Sequence, residues 1–312
     1  MTNHRLLVLG WHNVEGTWCF PSRAGAGTRG MEQQLRALRR LMNVVPLGPA
    51  LRAMAEGRPL PPRAVAITLD DGYRDTLTIA APMLQRLGLP ATVFLVPGIL
   101  SGTVDPWWER LGWAFANGRA GTLEWEEHRL PLAGAGAQRG ALAAVGEQLK
   151  RRDRQQREKS VDELVDLLAP RGAYSPGELF LDWDGARELS RTTMAIGSHS
   201  LYHAILSEEP AEAQREDLRE SRRQLEAELA VEVSLLAYPN GTARDYDSAT
   251  ITAAADAGYT HAVTTRRGWN RPSTPPYEIR RWCIRPELGL AGLGVIPRDL
   301  AKAALTRALS GE

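Results

Sequence analysis

Cysteine is almost missing from this sequence: Cys19 and Cys283 are the two in 312 residues. That is too few for a disulfide framework. An excess of either charge is missing as well. Lys and Arg number 38 against 37 Asp and Glu, a formal net charge of +1. With no basic surplus to neutralise phosphates, nucleic acid is excluded as the main partner. No apolar run approaches the ~18–20 residues that a membrane span needs. The opening MTNHRLLVLGWHNV holds only a short apolar stretch and no small-residue cleavage site. It reads as a first strand and not as a leader, which makes a cytoplasmic location the expectation.

What is present is a chain that is 43% hydrophobic, long enough for one large α/β domain or two small ones. Short apolar runs recur at Arg5–Leu9, Ala64–Leu69, Ala91–Val96, Met194–Ile196, Ser234–Tyr238, His261–Thr264 and Ile279–Ile284. Helical patterns lie between several of them, among them Glu32–Met42, Thr78–Leu87, Ala211–Leu229 and Ser248–Ala257. This alternation predicts a mainly parallel sheet, open or closed into a barrel. The stretch from about 101 to 181 breaks the pattern. It carries Trp107, Trp108, Trp113 and Trp125, a Gly/Ala-rich segment, and KRRDRQQREK from Lys150. We read it as a mostly helical insertion into a single domain spanning 1–312, with the arginine run as a solvated helix face.

Two clusters carry chemistry. TLDDG places Asp70 and Asp71 at the carboxyl end of the Ala64–Leu69 strand, with Gly72 allowing a sharp exit. Adjacent carboxylates repel, so a turn and helix cap compete with a functional role. GSHSLYH places His199 and His203 four residues apart just beyond the Met194–Ile196 strand, in a chain with six histidines. On one helical turn both imidazoles can face one ion. The carboxyl ends of parallel strands gather at one rim, so both clusters belong to one cavity. One Asp and two His make an open three-ligand site of zinc type, and the second Asp is then free to act as a base.

TLDDG, GSHSLYH and LAYPNG, in this order, closely resemble the polysaccharide deacetylase family, carbohydrate esterase family 4. The resemblance implies a distorted (β/α) barrel, consistent with the seven strand-like runs, and a metal-dependent hydrolase that removes acetyl groups from sugars. It implies Asp70 as general base, Asp71, His199 and His203 as metal ligands, and the Tyr238 backbone N–H as holder of the oxyanion. Two departures from the family pattern stand out. Leu236 and Ala237 occupy the place of a usual arginine, and no histidine follows His261. Both gaps recur in a subgroup resembling the poly-N-acetylglucosamine deacetylases, where the first strand ends in a Tyr-His-x-Val type sequence. Here Trp11-His12-Asn13-Val14 stands in that place. His12 then becomes the candidate acid and Arg281 the partner that orients Asp70, with Arg280 as a competitor.

The expected activity is hydrolysis of the acetyl group of an N-acetylated sugar or polysaccharide precursor. The expected cofactor is one divalent metal, zinc first, with cobalt, nickel or iron suited to the same donors. Deformylation, or deacetylation of a lipid- or nucleotide-linked sugar, is the enzymatic alternative. A silent carbohydrate-binding protein is the alternative of another class. Trp107 and Trp108 would either stack on sugar or anchor the insertion's own core, and the arginine run would offer peripheral contact with anionic lipid.

Overall fold

The computed structural model describes residues 4–119 and 121–295. Its strands in chain order are β1 (Leu6–Trp11), β2 (Asn43–Val44), β3 (Ala64–Leu69), β4 (Ala91–Leu95), β5 (Thr122–Trp125), β6 (His128–Pro131), β7 (Met194–Ser198), β8 (Leu235–Ala237), β9 (His261–Val263) and β10 (Trp282–Cys283). The α-helices are α1 (Ala26–Leu41), α2 (Leu47–Ala55), α3 (Ala81–Leu87), α4 (Pro97–Leu100), α5 (Trp107–Asn117), α6 (Ala135–Leu149), α7 (Arg154–Leu168), α8 (Trp183–Ser190), α9 (Ala211–Leu229) and α10 (Ser248–Asp256).

Seven parallel strands run in the order β10-β1-β3-β4-β7-β8-β9, with β2 added beside the start of β3. The sheet curls into a half-barrel, and a parallel bridge from Val263 to Ile279 draws its two ends toward each other. This is the distorted barrel expected from the sequence. Strands β1, β3 and β4 are buried along their whole length, which is why they read as unbroken apolar runs and not as alternating ones.

Period-2 geometry sorts the side chains of these strands. Leu6 and Val8 of β1, Ala64 and Ala66 of β3, Phe94, Ala237 and Val263 share one core cluster with Leu47, Leu51 and Met54 of α2. Leu7, Leu9, Val65, Ile67 and Leu69 belong instead to the cluster that takes in α1, α3 and α9. The pairing Leu6↔Ala64, Val8↔Ala66, Gly10↔Thr68 continues the first set upward. The next step along each strand is His12 and Asp70. The alternation that fills the barrel therefore also delivers these two groups to its upper end.

A third cluster joins Trp107, Trp108, Trp113 and Phe115 of α5 to the β5–β6 hairpin, α6 and α7. Two features here differ from the sequence reading. The hairpin interrupts a stretch that reads as mostly helical. Arg157, in the arginine run, is 1% exposed and lies over the Trp107 ring, so the run is only partly a solvated face. Trp107 and Trp108 are mostly buried in this cluster, as core anchors would be, yet both also line the cavity described next.

Candidate active site

The two carboxylates at the end of β3 reach one cavity because the backbone turns between them. Asp71 has φ 72° and Gly72 φ 76°, both left-handed. Asp accepts this conformation at modest cost, and the turn swings Asp71 to the side that period-2 geometry would deny it. Asp71 Oδ1 lies 3.3 Å from His199 Nε2 and 3.3 Å from His203 Nε2. One ligand atom from each of the three residues lies within 4.8 Å of the others.

The donor chemistry of this triad fits a divalent cation. His199 Nδ1 lies 2.7 Å from the Ala237 carbonyl, which can only accept, so Nδ1 carries the proton and Nε2 presents a lone pair. That lone pair faces a carboxylate oxygen that is buried and has no hydrogen-bond donor. Two acceptors aimed at each other need a cation between them.

The histidine motif is not a helical turn. Residues 199–205 form an irregular loop, with Ser200 at φ 65° and His203 at φ 50°. These left-handed steps stop a helix, and convergence of the imidazoles comes from the loop fold and not from a 3.6-residue period. Asp217 on α9 holds this loop by accepting the N–H groups of Leu201 (2.7 Å) and Tyr202 (3.4 Å).

Asp70 is 1% exposed and is gripped by Arg281 in a bidentate pair, with Nη1–Oδ1 at 2.7 Å and Nη2–Oδ2 at 2.6 Å. Arg281 is fully buried and also donates to Thr68 Oγ1 at 3.1 Å, whereas Arg280 is exposed. The structure thus brings Arg281, and not its neighbour, to Asp70. Burial would raise the Asp70 pKa. The charge of Arg281, paired with it in the bidentate contact, outweighs this and keeps it below the ordinary value. His12 Nε2 stands 3.7 Å from Asp70 Oδ2 with its side chain 34% exposed, open to the cavity.

Tyr238 departs from expectation. Its N–H donates to the Val263 carbonyl at 3.1 Å, so the sheet has already used the group assigned to an oxyanion. Its ring stacks on Tyr246 and its hydroxyl donates to the Tyr277 carbonyl. In the same loop, Asn240 is held at φ 57° with a buried Nδ2 lacking any partner, and it lines the cavity.

Sequence reasoning missed three buried carboxylates that hold the loops of the site. Asp217 is one. Asp75 accepts the N–H groups of Val14 and Glu15 at 2.7 and 2.8 Å, fixing the chain just after His12, and burial pushes its pKa up to about 6. Glu109 of α5, fully buried, accepts Thr17 Oγ1 (2.7 Å), the Cys19 N–H (3.1 Å) and the Tyr73 hydroxyl (2.8 Å). Tyr73 in turn accepts from Trp108 Nε1 at 2.8 Å, and the Trp108 ring packs 4.3 Å from that of His203. Acids on helices ordinarily mark solvated faces, and no spacing in the sequence set these three apart.

The triad, Asp70, His12, Arg281 and Asn240 line one cavity of about 1120 Å³. Asp70, Asp71, His199, His203, His12 and Arg281 line its floor, and α5, α6 and the loop after β1 make its walls.

The polysaccharide deacetylase family model matches residues 138–262, a stretch that contains His199 and His203 but not Asp70 and Asp71. Poly-beta-1,6-N-acetyl-D-glucosamine N-deacetylase of Escherichia coli strain K12 is 33% identical over 86 residues, 27% of this chain and 13% of that protein's length. The fold is similar to a Streptococcus pyogenes deacetylase, PplD, solved with acetate (TM-score 0.61, 16% identity, 94% of this chain and 97% of that one). It is also similar to IcaB from Ammonifex degensii (TM-score 0.58, 19% identity, 97% and 98%). The deacetylase domain of BpsB from Bordetella bronchiseptica follows (TM-score 0.56, 18% identity, 90% and 96%). Residues 138–262 thus match the polysaccharide deacetylase family, and the fold of the chain is similar to that of solved deacetylases. Similarity to a poly-N-acetylglucosamine deacetylase is partial and confined to 86 residues. Among the described residues, no helix is long and apolar enough to cross a membrane.

Proposed function

We propose that this protein is a metal-dependent hydrolase that removes an acetyl group from the nitrogen of an amino sugar. The observation that carries the reading is the convergence of Asp71, His199 and His203 beside an arginine-held Asp70 on one cavity floor. Asp71, His199 and His203 would hold a divalent cation, zinc by ligand type, which would supply Lewis acidity at the cavity floor. Asp70 accepts the proton of the attacking water, and the low pKa imposed by Arg281 keeps it ionised for that task. His12, within reach of Asp70 and open to the cavity, donates a proton to the leaving amine. Asn240 Nδ2 is the side-chain donor in this loop for the developing oxyanion, in place of the engaged Tyr238 N–H. The stretch from about 101 to 181 acts in this reading as an insertion that shapes the substrate wall.

The test is acetate release from N-acetylglucosamine oligomers, with metal content measured in parallel. Wild type carries about one divalent ion and is silenced by chelator. Asp70→Asn keeps the ion and loses turnover by ~10²-fold or more, the usual range for a general base. Asp71→Asn and His203→Ala lose both. Equal metal content in all four proteins would overturn the ligand assignment. Acetate release that chelator leaves intact would overturn the metal-dependent reading.

A further inference from the structure

We infer that the sugar processed here is attached to a diphosphate, and that Arg23 and Arg139 receive that group in the outer half of the cavity. The inference rests on the hydrolase reading for what happens at the floor, but the anion site stands on its own residues.

Besides Arg281, which is paired with Asp70, four cationic side chains line the cavity: Arg23, Arg139, Lys150 and Arg285. Two of them are neutralised in place. Lys150 Nζ lies 2.7 Å from Glu147, and Arg285 pairs with Glu287, both acids lining the same cavity. Arg23 and Arg139 have no carboxylate partner among the described residues. They come from separate elements, Arg23 from the loop before α1 and Arg139 from α6, yet they line one space. In a chain whose net charge is only +1, this local surplus is not a product of composition.

A neutral polysaccharide offers hydroxyls and flat sugar faces, and asks for neutral donors and exposed aromatic platforms. The indoles nearest the triad do not provide such platforms, since Trp107 and Trp108 are 9% and 8% exposed. Two guanidiniums without counter-ions instead match phosphate oxygens, which the planar fork of arginine binds in pairs. Phe20, 46% exposed, and Leu142 add apolar lining beside them. Such lining suits either a nucleobase or a prenyl chain beyond the diphosphate, so the shared chemistry is the diphosphate itself.

Inorganic pyrophosphate, titrated calorimetrically into chelator-treated protein, tests the anion site without the metal. The expected result is binding that weakens as salt rises, and that weakens at least about tenfold in Arg23→Ala/Arg139→Ala, the loss that goes with removing charge-assisted contacts. An unchanged Kd in the double variant overturns the inference. In the metal-loaded protein, UDP-N-acetylglucosamine and a short polyprenyl-diphosphate N-acetylglucosamine are compared with a neutral oligomer. The ratio of kcat/KM for the preferred diphosphate substrate over the oligomer should fall about tenfold in the double variant, and the preferred substrate identifies the source. Acetate release from none of the three, with arginine-dependent pyrophosphate binding intact, removes the hydrolase reading and leaves the anion site. Turnover of the oligomer with arginine-independent pyrophosphate binding does the reverse.

Discussion

Gly10 contributes to the site by having no side chain. A Cβ there would stand 2.8 Å from Arg281 Cδ and 3.1 Å from its Nε. The arginine therefore lies over bare backbone on its way to Thr68 and Asp70. Gly10→Ala forces that stem aside and loosens the bidentate pair. In the proposed mechanism Asp70 must be ionised to accept a proton, so activity should be lost as pH falls through its pKa. Burial raises that pKa and Arg281 is the chief group lowering it, so a displaced Arg281 moves the acid limb of the kcat/KM profile to higher pH. A profile of Gly10→Ala against wild type checks this, with an unchanged acid limb as the contrary result. At this scale Asp70, Asp71, His199 and His203 were legible because they sit next to strand ends in unusual pairs. Gly10 was not legible, since a glycine in a strand has many causes and its reason lies 271 positions away, at Arg281.

Among the elements, strands were read more surely than loops. Ala64–Leu69 declares itself as an unbroken apolar run buried on both faces, whereas the His199–His203 loop takes its shape from Asp217 on a later helix. The β5–β6 hairpin escaped notice because HRLP alternates only between partly and fully exposed positions. Asp217 makes the tie between α9 and the loop measurable. Burial pushes its pKa up to about 7 from an ordinary 3.8, against the lowering effect of the two backbone N–H groups it accepts. Between those values the unfolded chain has released a proton that the folded one retains, so folding is penalised increasingly as pH rises. The penalty is absent below the unfolded value and complete above about pH 7, growing by about 1.4 kcal/mol for every pH unit between the two values. Asp217→Asn has no such titration. The melting temperature of wild type minus that of the variant should therefore decline from about pH 4 to about pH 7 and then level off. Parallel curves would mean that the carboxyl is not protonated in the fold.

For the whole molecule, the alternation of strand and helix carried the barrel, while the separate aromatic core between β4 and β7 was visible only as a break in that alternation. Its packing depends on Glu109 and Arg157, polar residues that sequence patterns assign to the surface. The candidate metal triad of Asp71, His199 and His203 joins the end of β3 to the loop after β7. An ion that binds only the folded arrangement stabilises it by mass action, about 2.7 kcal/mol at a hundredfold excess over Kd. Zinc should raise the melting temperature by several degrees and chelator should reverse the rise. In His199→Ala/His203→Ala the shift should vanish. A shift that survives both substitutions would place the ion elsewhere.

The pairing of Asp70 with Arg281 also has a consequence in time. The two residues are 211 positions apart, and a ribosome that adds 5–20 residues each second takes on the order of 10–40 s to cover that distance. Asp70, Asp71, His199 and His203 have all been synthesised before the guanidinium exists. A nascent chain thus holds the three candidate metal ligands early and acquires the counter-charge of Asp70 only with β10. In the proposed mechanism a chain that ends before residue 281 leaves Asp70 unaccompanied, and hydrolysis waits for that strand.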